Sequence, residues 1–156
     1  MTDRHTDHST FTIERTYQAT PQRVFRAISD QATKARWFTP PEGWGGAFDH
    51  HLDFRVGGEE HLKVQPPGEK PHIFDARYYD IVPDQRVVFA YEMHIGDVRL
   101  SVSLTTMEIE PVADGTRFVF TEQVVFLDGT DNVADRESGS HGLLDKLGAV
   151  VEADQD

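Results

Sequence analysis

No cysteine occurs among the 156 residues, which excludes disulfides, thiolate nucleophiles and thiolate metal ligands. Basic residues are scarce: 15 Lys and Arg stand against 27 Asp and Glu, a formal charge of −12. That balance repels a phosphate backbone and an anionic leaflet, so neither nucleic acid nor a membrane is an expected partner. Long apolar runs are also missing. Stretches such as Val87 to Tyr91 last a handful of residues, against the roughly 20 that span a bilayer. The polar start, Met1 Thr2 Asp3 Arg4 His5, has no apolar signal segment behind it, so a soluble, cytoplasmic protein is expected. Phosphate cradles of the Gly-x-Gly-x-x-Gly or Gly-Lys-Ser/Thr kind are absent, as are a Gly-x-Ser-x-Gly elbow and a His-Glu-x-x-His pair. What is present is enough apolar material, 38% with ten Phe, for the core of one domain, and too little length for two ordinary ones.

Residues 1–8 read as a disordered polar leader and 9–153 as one domain. From Ser9 the alternation through Phe11, Ile13 and Tyr17 predicts a strand with one buried face. Thr20 and Pro21 then supply an N-cap and first helical position for a helix carrying Val24, Phe25 and Ile28, which ends at Ser29 and Asp30. A second short helix is predicted over 31–37, followed by a loop with Pro40, Pro41, Gly43, Gly45 and Gly46. Beyond it, strands are predicted at about 50–56, 59–65, 72–82, 86–94, 98–110 and 115–126, with turns at Gly57 Gly58, Pro83 Asp84 and Asp114 Gly115. From Asn132 the period turns helical, with Leu143, Leu144, Leu147, Val150 and Val151 on one stripe and Asn132 or Asp131 as cap. Gly139 and Gly142 cost that helix roughly 1 kcal/mol each, so close packing on the sheet or room for a ligand is expected there. Since each apolar face must bury another, the fold class is α+β: a helix grip, a curved antiparallel sheet of about seven strands wrapped around a long C-terminal helix, with two short helices after strand one.

Several segments match a known group. Ala35 Arg36 Trp37 Phe38, Leu52 Asp53 Phe54 Arg55 Val56 Gly57 Gly58, Asp80 Ile81 Val82 Pro83 Asp84 Gln85 Arg86, and Asp114 Gly115 Thr116 Arg117 with Thr121 Glu122 Gln123 and Phe126 Leu127 Asp128 Gly129 carry the likeness. On these the chain resembles the START/Bet v 1-like (SRPBCC) superfamily, in its activator of heat-shock protein 90 ATPase homologue-like branch, over about residues 10–152. The resemblance implies the helix-grip fold and an apolar or amphipathic guest held between sheet and helix. Only some branches of the superfamily are enzymes, and the further N-terminal domain of the eukaryotic chaperone activators has no counterpart in this length.

The last predicted strand places Thr116, Phe118, Phe120, Glu122, Val124 and Phe126 on one face, so a carboxylate stands among three aromatic rings. Such a carboxylate must find a cation or lose its charge, and both outcomes belong to binding sites. Arg77 and Arg136 are the candidate partners, the latter on a helical stripe with Ser140, Leu143 and Leu147; a bulge turning Glu122 to solvent is the structural alternative. On the strand at 98–110, Leu100, Val102 and Leu104 take even positions and Met107 and Ile109 odd ones. The apolar face thus switches near Thr105, through a bulge or because the two ends pack on different partners; Ser101, Ser103 and Thr105 would then face a cavity with hydroxyls able to bind a ligand, or line the solvated outer face, which the base rate for alternating strands favours. The eight His are dispersed, and no metal site or cofactor is expected; His94 is the best single candidate for a ligand hydrogen bond or proton transfer. Trp37, Phe38 and Trp44 flank the Pro/Gly loop, where they would cap a cavity or anchor the loop. Ser140 and His141, adjacent in a helix, diverge by about 100° and form no nucleophile–base pair.

The predicted pocket comprises Trp37, Phe74, Arg77, Tyr79, Phe89, Tyr91, His94, Phe118, Phe120, Glu122, Arg136 and Ser140. The partner expected is a small lipophilic or aromatic molecule. One alternative is a polyketide cyclase-, dehydratase- or hydrolase-type enzyme with Glu122 or His94 as acid/base and Arg77 or Tyr79 on the substrate oxygen. Another is an interaction protein that touches a chaperone or another partner through its surface. Monomer and homodimer are both admitted, and no protein partner is identified.

Overall fold

The computed structural model describes residues 4–40, 43–44 and 47–153. The elements run β1 (Thr6–Tyr17), α1 (Pro21–Ser29), α2 (Gln31–Lys34), β2 (Ala47–Leu52), β3 (Glu59–Gln65), β4 (His72–Val82), β5 (Arg86–Ile95), β6 (Val98–Val112), β7 (Gly115–Leu127) and α3 (Val133–Ala153). All seven strands lie in one antiparallel sheet, ordered β1-β7-β6-β5-β4-β3-β2, so the first strand closes against the last. The sheet curves around α3 in a helix grip, as predicted.

β1 starts at Thr6, three residues before the apolar alternation. Thr6 to His8 pair with Leu127 to Val125, and the His5 N–H donates to Asp128 at 3.0 Å. Backbone pairing needs no apolar side chain, so a polar strand end reads as a leader. Thr20 caps α1, its hydroxyl accepting from the Arg23 N–H at 3.2 Å with Pro21 behind it. Asp30 ends that helix and caps the next, accepting from the Thr33 N–H at 3.0 Å and hydroxyl at 2.6 Å. α2 is a single turn, shorter than the predicted 31–37. The Trp37 indole N–H donates to the Ala27 carbonyl at 2.8 Å, burying the ring as an anchor of this corner. Pro41, Gly45 and Gly46 of the predicted capping loop lie outside the described residues.

The alternation problem in β6 has a structural solution. Between β5 and β6 the register passes from Met93↔Ser101 to His94↔Arg99, leaving Leu100 as an extra residue. The bulge buries Leu100 and Ser101 consecutively, and from there Ser101, Ser103, Thr105, Met107 and Ile109 all face inward while Leu104 is exposed. The serines and Thr105 are therefore interior, the less favoured of the two placements, with the change of phase at Leu100 instead of near Thr105. Apolar even positions reflect an outer face that is itself partly covered.

Asn132 caps α3, accepting from the Asp135 N–H at 2.9 Å. Gly139 and Gly142 are exposed, and an added methyl would meet nothing within 4 Å, so neither close packing nor a ligand accounts for them. The close approach is at Gly148, where a Cβ would come within 2.8 Å of the Tyr17 ring. That ring cannot give way easily, because its hydroxyl is buried and donates to the Leu144 carbonyl at 2.7 Å. Gly148→Ala is expected to destabilise by about 1–3 kcal/mol. Gly139→Ala or Gly142→Ala should instead stabilise by about 0.5–1 kcal/mol, as urea unfolding would show.

Candidate functional site

β7 runs without a bulge against both neighbours, so its alternation holds and Glu122 lies inside with Phe118, Phe120 and Phe126. Three donors converge on its Oε2: the Tyr91 hydroxyl at 2.8 Å, the Ser103 hydroxyl at 2.9 Å and Arg136 Nη1 at 3.2 Å. Arg136 also donates to the Tyr91 oxygen (3.1 Å), the Ser101 oxygen (2.7 Å) and Asp131 (3.0 Å), and its guanidinium centre is 5.3 Å from the centre of the Phe126 ring. Burial opposes the Arg136 charge, but the acidic groups around it, Tyr91, Glu122 and Asp131, outweigh that and raise its pKa. Burial first, then the Glu122 charge, pushes the Tyr91 hydroxyl well above the usual phenol range, which keeps it a donor. Strands β5, β6 and β7 and the first turns of α3 thus meet in one buried polar cluster.

A second cluster occupies the inner face of β2–β4. Glu60 Oε1 accepts from the Lys34 ammonium at 2.7 Å and from the Tyr78 hydroxyl at 2.6 Å, while the His50 Nε2–H donates to Oε2 at 2.7 Å. Lys34, Glu60 and Tyr78 are each at most 2% exposed. Burial pushes Glu60 towards protonation, but the Lys34 charge and the hydrogen bonds from His50, Lys34 and Tyr78 prevail and bring its pKa down to about 2. Tyr78 is raised well above the phenol range by burial and by Glu60 beside it. Nothing in the sequence flagged Lys34. Glu60 could have been found, since it shares its strand face with Leu62 and Val64 in the way Glu122 shares its own with Phe120 and Val124. The β6 bulge turns Ser101 and Ser103 into the first cluster, and the turn before α3 brings Asp131 to it.

Aromatic rings span the gap between the clusters. Tyr78 lies 5.5 Å from Phe89, Phe89 6.1 Å from Tyr91, and Phe74 packs 4.8 Å from Tyr91 and 5.0 Å from Phe38. Phe74, Tyr91 and Phe120 keep 8–9% exposure, whereas Tyr78 and Phe118 have none. Ser140 is buried on α3, and Phe118 stacks 5.9 Å from Tyr17.

Four predicted pocket residues stand elsewhere. Arg77 and Tyr79 point outward, the guanidinium 5.9 Å from the tyrosine ring, because they alternate with the inward Ala76 and Tyr78. They line an open depression of about 460 Å³ on the outer face with His51, His61, Asp75 and Glu92. His94 follows the β5–β6 irregularity, partly exposed, with its ring 3.8 Å from Glu92. Trp37 is a packing anchor away from the Glu122 cluster, and Trp44 is half-buried with its ring 4.7 Å from that of His72. Among the described residues no three His, Asp or Glu side chains converge so as to hold a metal ion. Nor is any described helix long and apolar enough to cross a membrane.

No curated protein matches the chain. Among solved structures, an uncharacterised protein from Rhizobium leguminosarum is 44% identical, covers 98% of this chain and 100% of its own, and superposes with a TM-score of 0.92. The Mll3558 protein from Rhizobium loti is 49% identical over 94% of this chain and 99% of its own, with a TM-score of 0.85. Protein CV1439 from Chromobacterium violaceum, 28% identical, covers 93% and 98% with a TM-score of 0.75. The family model described as activator of Hsp90 ATPase homolog 1-like protein matches residues 18–152, from the end of β1 to the last turn of α3. With both clusters inside the matched span, the chain belongs to the activator of Hsp90 ATPase homolog 1-like family.

Proposed function

We propose that the protein binds a small lipophilic or aromatic molecule between the inner face of the sheet and α3, with Glu122 and Arg136 at the polar end of the site. The observation that carries this reading is the Glu122–Arg136–Tyr91–Ser103 cluster. Four side chains from three strands and a helix are brought together, largely desolvated, beside the inner-face rings of Phe74 and Phe120. A buried ion pair of this kind contributes little to net stability, so a role in holding polar groups ready for a guest supports the reading. The family and fold are compatible with ligand binding and with cyclase-like chemistry. Binding without turnover is the better reading, because the groups an acid/base mechanism called for, His94, Arg77 and Tyr79, are not beside Glu122.

Titration with the lipophilic fluorophore N-phenyl-1-naphthylamine tests this. One-to-one saturable binding is expected, weakened about tenfold in Glu122→Gln and unchanged in the outer-face variant Tyr79→Ala. Binding lost in Tyr79→Ala but indifferent to Glu122→Gln would move the site to the outer depression and overturn the proposal.

A further inference from the structure

We infer that the guest presents a neutral hydroxyl, phenolic or alcoholic, to Glu122 and Thr105, an inference that rests on the interior site proposed above. Every hydrogen bond that Glu122 makes among the described residues falls on Oε2; none reaches Oε1. Directly opposite it in the β6–β7 register stands Thr105, fully buried, whose Oγ1 has no hydrogen-bond partner. An orphan hydroxyl in an apolar interior is costly, and native proteins keep one mainly where a ligand or ordered water completes it.

The charges around the pair narrow the ligand class. A guest carboxylate would meet Glu122, and the one cation able to offset it, Arg136, already has both terminal nitrogens engaged by Glu122, Tyr91, Ser101 and Asp131. A guest ammonium would be desolvated beside that same guanidinium. A ketone or ether oxygen accepts from Thr105 but leaves Oε1 without a donor. A hydroxyl meets both demands, donating to Oε1 and accepting from the Thr105 O–H. The remaining bulk of the guest then rests on Phe120, Phe74 and Tyr91, the inner-face rings that solvent reaches. Thr105 in this role is a recognition residue: it sets which guest is held and leaves the chamber's apolar grip unaltered.

Calorimetric titration with 2-naphthol and 2-methylnaphthalene, which differ by hydroxyl against methyl, provides the test. The unmodified protein is expected to bind 2-naphthol about tenfold more tightly. Thr105→Val, nearly the same shape without the hydroxyl, should erase that preference while leaving 2-methylnaphthalene affinity as it was, and Thr105→Ser should retain the preference. Equal affinities in the unmodified protein, or a preference that survives Thr105→Val, would overturn hydroxyl recognition and leave the interior site standing. Failure of both naphthalenes to bind would remove the interior site and this inference together.

Discussion

Lys34→Met is expected to cost about 3–5 kcal/mol of folding stability, a loss large enough to threaten a small domain. The reason is what stays behind. Glu60 is 1% exposed and meets the Lys34 ammonium at 2.7 Å; without that charge the buried carboxylate is left to the hydrogen bonds from His50 and Tyr78. Adding Glu60→Gln to Lys34→Met should recover much of the loss, since the amide can still be hydrogen-bonded and carries no charge. Acid provides an independent check. The carboxyl's folded pKa of about 2 lies below its ordinary 4.5, so its stabilising contribution is complete above about pH 5 and is lost as pH falls towards 2. On the order of 3 kcal/mol separates the two ends of that window. The stability of the unmodified protein should therefore fall relative to that of the double variant between pH 5 and pH 2 in urea titrations. A gap that stayed constant would show that Glu60 does not carry the effect.

Arg136→Met is expected to cost about 3 kcal/mol and to loosen one half of α3. Its guanidinium holds Glu122, Tyr91 and Ser101 from the sheet and Asp131 from the turn before the helix, so its removal strands a 1% exposed carboxylate and detaches the first turns. The far half keeps its own ties: the Tyr17 hydroxyl on the Leu144 carbonyl and the Gln18 N–H on Glu152 at 2.8 Å. Amide exchange should accordingly quicken through residues 135–142 and stay slow around 146–151. Arg136→Met with Glu122→Gln should regain stability but not the affinity for N-phenyl-1-naphthylamine, which separates holding the helix from holding a guest. Uniform quickening along the whole of α3 would argue against a local pin.

The two clusters were unequally legible. Glu122 could be read because β7 is regular, so a carboxylate two residues from Phe120 must share its face; Arg136 followed from helical spacing. Phe74, Phe89, Tyr91, Phe118 and Phe120 followed from the same period of two. Arg77 and Tyr79 face outward, as their alternation with the inward Ala76 and Tyr78 requires; chemical suitability as a cation for Glu122 or a donor to a substrate oxygen does not place a side chain. In β6 the local pattern signals a change of face but not its place: one extra residue, Leu100, sets the phase of the strand and turns the serines inward. Lys34 had no local signature: its partner Glu60 is 26 residues away, across a loop.

The order of the elements, the caps at Thr20 and Asn132 and the strand spans of β3 and β4 were determined by the sequence itself, since each rests on contacts within a few residues or on a period that neighbours share. Which carboxylate meets which cation, where a bulge changes the phase of a strand and which glycine touches the sheet were decided only in three dimensions. Those outcomes depend on groups brought together from distant parts of the chain, and burial makes their energies large enough to select one arrangement among those the local pattern permits.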